Sequence, residues 1–412
     1  MEVESLANWL SIRDSDTFPY PAVIDEYLRV GKHFVPTELL DMLANIRSTI
    51  SDVRGSSASV RLLQRFLDAA LDKRDGRYDY PSYLALGLLP LPTLDESYAD
   101  LSAAERQYDR IFVHLIADLV RFELDAACAR TNLLPEMRPD LATTIKRCRL
   151  GLIAARSATT RLGLMPEAVG DLLLEAREFC SNIDATLSRQ ERDTLRLSML
   201  PVYIIHDEHM FIRVLQAFEA TFAVLAVQLS DAISALAAGR SDLALARIQA
   251  AQKVLHDAAP LFSLLGTMQV EAFRTFRTYT EGASAIQSRN YKLVESVCRQ
   301  PDPERVDSIA YHSVPEVRER VLAGPPTLNG EFETARAGGR LNAADARVLE
   351  LAMRQLASTL LQWRRTHYRL AVRMLGERSG TGYTQGTPYL KAVQTIPVFP
   401  VTTPCPSGPG ES

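Results

Sequence analysis

The chain has 412 residues, of which 47% are hydrophobic, and this is enough to bury a large core. Its formal net charge of −4 gives no electrostatic reason to expect nucleic acid or an anionic membrane surface as a partner. No uninterrupted hydrophobic run reaches the roughly 18 residues that cross a bilayer, and the acidic first residues differ from a secretory signal.

The cysteines are expected to be reduced thiols. A disulfide framework or a zinc site is typical of paired cysteines at close, regular spacing. Here the five cysteines are scattered, and none forms a Cys-x-x-Cys motif: Cys128, Cys148, Cys180, Cys298 and Cys405. Together with the acidic N-terminus, this pattern predicts a cytoplasmic protein.

Hydrophobic residues recur at three- and four-residue spacing along almost the whole chain, which predicts an all-α fold. No segment alternates hydrophobic and polar residues convincingly enough to predict a strand. In the first half, the pattern predicts helices over about 39–50, 59–71, 101–129 and 166–183. Longer helices are predicted after Val202, over about 207–237, 241–266, from 270 onward, and 344–375 before a C-terminal Gly376.

Three parts of the chain follow from these patterns. Residues 1–195 are predicted to form a helical N-terminal region, which covers the main bundle or builds a subunit interface. Residues 196–398 are predicted to form the main helical bundle, with a polar connection at about 300–339. The tail at 399–412 is rich in proline and glycine, and we expect it to be disordered.

The first candidate site lies at the predicted start of the long helix after Val202. His206 and His209 are three residues apart, a spacing that a metal could use, and Asp207 and Glu208 could complete the site. An acidic, polar helix start explains the same residues more simply, because carboxylates there favour the helix dipole. The stripe that follows indicates a buried face: Phe211, Leu215, Phe218 and Phe222.

A second candidate site lies on the predicted helix that begins near Val270. Phe273 and Arg277 are four residues apart and therefore share one helix face. An aromatic wall beside a guanidinium group suits an aromatic amino acid, whose ring packs while its carboxylate takes a bidentate bond. The ordinary alternative is a surface arginine.

His367 is the third candidate, late on the last long helix in Trp363-Arg-Arg-Thr-His-Tyr-Arg. A neutral imidazole on a rigid helix with hydrophobic neighbours suits the fifth ligand of haem iron. Taken alone, the commoner explanation is a half-buried histidine bonded to a backbone carbonyl.

A glycine-rich segment at 380–386, Gly-Thr-Gly-Tyr-Thr-Gln-Gly, follows the last long helix. Its backbone could close over a ligand, although an ordinary loop after a helix explains it too. A phosphate-binding loop is disfavoured, because no lysine follows the last glycine and no helix clearly begins there.

In their order and contents, these segments together resemble the tryptophan 2,3-dioxygenase family. The segment around Arg277 is similar to the family's Phe-x-x-Phe-Arg and Ala-Ser-Gly-Phe-Gln-Ser pattern through Met268, Phe273, Phe276, Arg277, Ala283, Ser284, Gln287, Ser288 and Glu295. The segment after Ala344 is similar to the family's proximal-histidine helix and substrate loop through Trp363, Arg364, His367, Gly380, Thr381, Gly382, Gly386, Tyr389 and Leu390. The stretch from His206 to Ile212 resembles its distal helix. The resemblance covers about 203–298 and 349–390, roughly a third of the chain.

The resemblance implies a helical bundle that encloses haem b, with His367 as the axial ligand of the iron. Arg277 is implied as the clamp on the substrate carboxylate, and Thr381 as a partner for its ammonium or carboxylate. The other implied contacts are the ring contacts Phe211 and Phe273, and Ser284 near the haem edge. Tyr80, Tyr83 and Leu84 are similar to a Tyr-x-x-Tyr-Leu segment that in the family reaches a neighbouring subunit's site. Tyr83 is therefore implied as a substrate contact, and we expect a homo-oligomer.

The sequence also departs from the family pattern. Leu215 occupies the position of the distal histidine, so no residue is assigned as a catalytic acid or base. A leucine cannot accept a bond from an indole N–H, which would cost about 1–3 kcal/mol if the N–H were left unpaired. Ile286 stands where the family pattern has an aromatic residue, and Ala285 and Tyr383 stand where it has glycines. These changes point to a substrate other than plain tryptophan or to a different pose.

The expected function is a haem-dependent oxygenase that adds dioxygen across the indole 2,3 bond of tryptophan or a tryptophan-like amino acid. Three alternatives stay open. One is a haem-dependent monooxygenase or ring-rearranging enzyme that acts on a modified aromatic amino acid. Another is a non-catalytic protein that binds haem and an amino acid. The last is a helical scaffold without haem.

Overall fold

The computed structural model describes residues 2–94, 101–165, 170–376 and 387–400. Across these ranges the chain forms α-helices and short 3-10 turns, with two isolated β-bridges and no β-strand. The predicted all-α class is therefore confirmed. The structure confirms the expected free cysteines at Cys128, Cys148, Cys180 and Cys298, whereas Cys405 lies outside the described residues.

Nine helices are described before residue 200. They are α1 (Glu2–Ile12), α2 (Tyr20–Val30), α3 (Thr37–Ser48), α4 (Ser57–Ala70), α5 (Tyr80–Tyr83), α6 (Leu101–Ala127), α7 (Leu141–Leu162), α8 (Leu172–Thr186) and α9 (Arg189–Leu197). The helices predicted at 39–50, 59–71 and 101–129 correspond closely to α3, α4 and α6. The fourth is shorter at its start than predicted, because α8 begins at Leu172, where the Asp171 carboxylate caps the first backbone N–H groups.

The second half contains the longest helices among the described residues. It consists of α10 (His206–Ala237), α11 (Ser241–Asp257), α12 (Pro260–Leu265), α13 (Val270–Thr280), α14 (Arg289–Cys298), α15 (Pro303–Val306), α16 (Ile309–His312), α17 (Pro315–Leu322), α18 (Leu328–Ala337), α19 (Ala343–Leu375) and α20 (Thr387–Val393). The predicted bounds of α10 and α19 are confirmed to within a residue or so. Gly376 ends α19 with a φ of 62°, as predicted for a C-terminal glycine.

Two expectations for this half need correction. The single helix predicted at 241–266 is wrong, because Pro260 has no backbone N–H and begins a separate helix, α12. The connection at 300–339 contains the four short helices α15 to α18. Pro303 and Pro315 occupy the first positions of α15 and α17, where a missing N–H needs no partner.

Helix α10 lies at the centre of the protein and packs against α6, α11 and α14. In the described part of the chain it is the one helix that is long and apolar enough to cross a membrane. However, 89% of its most hydrophobic window is buried inside the protein, which is where a central core helix lies. Its hydrophobic composition therefore has a structural explanation.

The N-terminal region packs directly on the rest of the protein. The hydrophobic core is continuous across residue 195, and α6 runs along α10. A buried ion cluster joins the two parts: Arg147 of α7 bonds to Glu123 of α6 at 2.8 Å and to Asp207 of α10 at 2.7 Å. Because all three side chains are buried, this cluster fixes the start of α10 against the N-terminal helices.

Candidate functional site

A cavity of about 230 Å³ lies between α10, α12, α13, α14, α19 and α20, with α5 on one side. Its volume exceeds the roughly 150 Å³ of an engineered cavity that holds benzene, so it has room for more than one aromatic ring. Most of its wall is hydrophobic and aromatic, with contributions from Phe211, Leu215, Phe218, Phe222, Phe262, Leu265, Met268, Trp363 and Leu370. Such a wall suits a large, flat, apolar ligand.

His367 lines this cavity from α19, about two turns before the helix ends. Its ring stacks on Trp363 with 5.2 Å between ring centroids. Among the described residues its imidazole has no hydrogen-bond partner, unlike a histidine held by a backbone carbonyl. Burial lowers the pKa of His367 to about 4, so the ring is neutral near pH 7 and keeps a free lone pair.

The position of His367 follows from the residues one turn before it. Arg364 donates hydrogen bonds to the Tyr291 hydroxyl, at 2.6 Å, and to the carbonyl oxygen of Ile396. Trp363 packs among aromatic rings 5.1 to 5.6 Å away, which belong to Phe218, Phe222, Phe262 and Tyr291. These contacts fix the rotation of α19 about its axis, and the same rotation turns His367 towards the cavity.

Arg277 lines the same cavity from α13. Phe273, one turn earlier, packs edge-to-face on Phe211 of α10 at 5.7 Å, and Phe276 lies 5.3 Å from Phe211. The aromatic wall beside a guanidinium group that the spacing predicted is therefore present. Ser284, just after α13, also lines the cavity.

The tyrosine segment at 80–83 lines the cavity of its own chain, because α5 packs against the short turn at Ala285–Gln287. The backbone N–H of Tyr80 donates to Gln287 Oε1 at 2.9 Å. The Tyr83 hydroxyl donates to Glu208 Oε1 at 3.2 Å, and Gln216 Nε2 donates to the carbonyl oxygen of Leu84 at 2.8 Å. The implied reach of this segment to a neighbouring subunit's site stays a prediction.

Leu215 lies on the cavity wall one turn after Phe211. A hydrocarbon side chain there offers neither a hydrogen-bond acceptor nor a base, so that part of the wall recognises a ligand by shape alone. Thr381, the remaining predicted contact, lies outside the described residues. Beyond the glycine-rich segment, Tyr389 and Leu390 of α20 line the cavity.

The histidines at the start of α10 lie away from this cavity. Their rings stack on Phe122, with centroids 4.7 Å away for His206 and 4.1 Å for His209. Asp207 accepts from Arg147 and from the backbone N–H of Gln269, and Glu208 accepts from the backbone N–H groups of Val202 and Tyr203. No group of three or more potential metal ligands is found among the described residues.

Glu219 and Lys292 are charged cavity residues that were not predicted from the sequence, and Arg305 is a third. Glu219 follows Leu215 by one turn of α10 and accepts a hydrogen bond from Asn290 Nδ2 at 3.0 Å. Lys292 of α14 donates to the carbonyl oxygen of Ile286. Burial raises the pKa of Glu219 and lowers that of Lys292 to about 7. The position of Glu219 within the hydrophobic stripe of α10 was the available signal for it.

Comparison with known proteins gives a consistent result. A family model described as tryptophan 2,3-dioxygenase matches residues 193–314. The tryptophan 2,3-dioxygenase of Anaeromyxobacter sp. (strain K) is 25% identical over 229 residues, which are 47% of this chain and 84% of that protein. The one of Nocardioides sp. is 27% identical over 226 residues, 48% of this chain and 83% of that protein.

A third relative extends the match further. The tryptophan 2,3-dioxygenase of Burkholderia ambifaria is 22% identical over 275 residues, which are 57% of this chain and 89% of that protein. The matches therefore cover most of each relative but only about half of this chain. The low identity agrees with the departures at the cavity, such as Leu215. The chain is therefore similar to tryptophan 2,3-dioxygenases at low identity, over the part that includes α10, α13 and α14.

Proposed function

We propose that this protein is a haem-dependent dioxygenase that acts on tryptophan or a tryptophan-like aromatic amino acid. One observation carries the proposal: His367, with a neutral imidazole and no hydrogen-bond partner among the described residues, lines the same cavity as Arg277. An available ligand for iron and a cation for a carboxylate are the two groups that such a reaction needs in one place.

The residues present fit haem b. The imidazole of His367 is the single protein nitrogen that a five-coordinate haem iron requires. Trp363, Phe218 and Phe262 supply aromatic surface against which a macrocycle can pack. Trp363 Nε1 is buried and has no hydrogen-bond partner in the described part of the chain, so this N–H could donate to an acceptor on the bound group. Haem bound through His367 would supply the activation of dioxygen.

The protein's own residues would bind and orient the substrate. The guanidinium group of Arg277 would hold the carboxylate with two parallel hydrogen bonds, and Phe211 and Phe273 would pack on the ring. We assign Ser284 and Thr381 the supporting roles that the resemblance implies. The hydrophobic wall would exclude water from the reacting atoms, which strengthens the polar contacts inside.

Leu215 favours a second candidate function, a haem-dependent monooxygenase or a ring-rearranging enzyme. The wall has no acceptor at Leu215 for an indole N–H, so a substrate without that group, or with a different pose, would fit it better. Labelled dioxygen separates the two functions. Two labelled atoms in each product molecule would support the dioxygenase, whereas one labelled atom would support the second candidate.

The proposal is tested by absorption spectra of haem-reconstituted protein. Wild type should show a Soret band that shifts on titration with tryptophan. In air, but not without oxygen, wild type should consume the substrate. His367→Ala should lack the band of imidazole-ligated haem. His312→Ala is the matched control, because His312 is exposed and pairs with Asp307. A His367→Ala spectrum equal to that of wild type would overturn the assignment, and ligand binding without turnover would indicate a non-catalytic binding protein.

A further inference from the structure

The cavity has a second polar region besides Arg277, made by side chains from three separate segments. We call it the Glu219 cluster and define it as Tyr80, Glu219, Ser288 and Lys292, all of which line the cavity. Their exposed fractions lie between 0% and 5%, with Glu219 and Lys292 at 1% each. Charged groups this deeply buried are costly, so the cluster needs polar partners.

The carboxyl of Glu219 meets donors from several sides. Asn290 Nδ2 donates to its Oε2 at 3.0 Å, and the hydroxyls of Tyr80 and Ser288 are near enough to act on the carboxyl by lowering its pKa. These groups favour the charged form of Glu219, and the nearby charge of Lys292 acts in the same direction against the effect of burial. The carboxyl of Glu219 is therefore a buried polar group on an otherwise hydrophobic part of the cavity wall.

Lys292 has one hydrogen-bond acceptor in the described part of the chain. An ammonium group has three N–H donors, and the single acceptor found for Nζ is the carbonyl oxygen of Ile286. Two donors of a side chain that is 1% exposed are left for whatever occupies the cavity. Buried donors without acceptors are destabilising, which points to an acceptor on the ligand.

The Glu219 cluster lies away from the aromatic wall beside Arg277. Phe211 packs on Phe273, one turn before Arg277, whereas Glu219 follows Phe211 by eight residues along α10, or about 12 Å of helix axis. Between them the wall is formed by Leu215 and Phe218, which carry no polar group. The cavity thus has a hydrophobic middle with polar groups beyond it on both sides.

We propose that the cavity selects an aromatic amino acid whose ring carries a hydroxyl group on the side away from its carboxylate, recognised by Glu219 and Lys292. A hydroxyl is the small group that both donates and accepts, so it can donate to the carboxylate of Glu219 and accept from Lys292. This inference rests on the proposed function, because it takes the amino-acid end of the ligand to be held by Arg277.

The inference predicts a measurable preference. A site built to bond a ligand hydroxyl discriminates strongly against the analogue without it, because its own buried groups are then left unpaired. Isothermal titration calorimetry of the haem-reconstituted full chain would compare binding affinities within two matched pairs of ligands. The pairs are 5-hydroxy-L-tryptophan with L-tryptophan, and L-tyrosine with L-phenylalanine. The hydroxylated member of at least one pair should bind at least tenfold more tightly.

Two variants locate the source of that preference. In Glu219→Gln and in Lys292→Met, the affinities for the hydroxylated and the plain ligand should differ by no more than about threefold. Glu208→Gln is the matched control, because Glu208 is a buried carboxyl on the same helix that bonds a tyrosine of α5 but lies outside the cavity wall. It should leave the ratio unchanged.

Each outcome decides the matter. Equal affinity for both members of both pairs would overturn the inference while the proposed function stands. A preference that persists in both variants would overturn it as well, because the selection would then arise elsewhere. If no aromatic amino acid binds at all, the proposed function fails together with the inference. Circular dichroism of each variant would show that loss of preference does not come from loss of the fold.

Discussion

The start of α10 and the last turns of α19 both place histidines in the protein interior, but the two regions differ in the groups that face the rings. His206 Nε2 lies 3.3 Å from a carboxylate oxygen of Glu123, and His209 Nε2 lies 3.4 Å from one of Asp118. His367 faces a cavity and has no such carboxylate partner among the described residues. The same residue type is therefore structural in one region and available to a ligand in the other.

The difference shows what a buried histidine needs before a ligand role can be assigned to it. At the start of α10, every nearby carboxylate already bonds to an arginine or to backbone N–H groups, and both histidine rings stack on Phe122. At His367, Arg364 and Trp363 constrain the rotation of the helix, and no residue among those described gives the ring a hydrogen bond. Four measurements test this contrast, from the largest expected effect to the smallest.

The charge network at the start of α10 should be essential for stability. Asp207→Asn removes the charge that faces Arg147 and leaves a buried guanidinium group without that compensation. We expect the free energy of unfolding to fall by about 3–5 kcal/mol, measured by urea denaturation. Haem uptake per folded molecule should stay unchanged, and a selective loss of haem uptake would place this region in the site instead.

The pH dependence of stability should distinguish His367 from a paired histidine. Its pKa is lowered to about 4 in the folded protein, so between pH 4 and about 6.5 the unfolded chain binds the proton more readily. In haem-free protein the free energy of unfolding should fall as the pH is lowered through this window. The fall should be about 3 kcal/mol greater for wild type than for His367→Gln, and identical pH profiles would contradict the burial of a neutral ring.

Arg277→Ala should weaken binding of carboxylate-bearing ligands by about 10- to 100-fold, because a charge-assisted pair is lost. Titration with tryptophan and with tryptamine, which has no carboxylate, gives an internal control, since tryptamine affinity should stay nearly constant. Arg274→Ala is the matched variant on the same helix, because Arg274 donates to the carbonyl oxygen of Met374 instead. Unchanged tryptophan affinity in Arg277→Ala would remove Arg277 from the site.

The smallest effect is expected at Leu215. Leu215→His would place an acceptor on the cavity wall, worth about 1 kcal/mol or fivefold in affinity for a ligand with a ring N–H. Wild type should bind tryptophan and 1-methyltryptophan with similar affinity, and the variant should prefer tryptophan. A strong preference for tryptophan already in wild type would show that another group accepts the N–H bond.

Much of the fold could be predicted because long helices carry their own signals. The hydrophobic stripe of α10 and the glycine after α19 allowed the bounds of those helices to be predicted closely. The break at Pro260 was missed because the three- and four-residue spacing continues across it. Phe211, Phe273 and His367 could be named in advance because the resemblance to the family implied their roles, and all three line the cavity.

The Glu219 cluster could not be predicted in the same way. A glutamate within a hydrophobic stripe gives no sign of which distant donors will meet it, and its partners come from α5, α14 and the turn between α13 and α14. The missing partner of His367 is likewise a property of the packed structure. Spacing places a histidine on a helix face but does not tell what the opposite wall offers.

The ligand role of His367 is tested most directly by replacing the side chain and returning the imidazole as a free molecule. Haem-reconstituted His367→Gly should lack the spectrum of imidazole-ligated haem, and added imidazole should restore it, because the vacated space adjoins the cavity. A His367→Gly protein whose absorption spectrum equals that of wild type before imidazole is added would contradict the account.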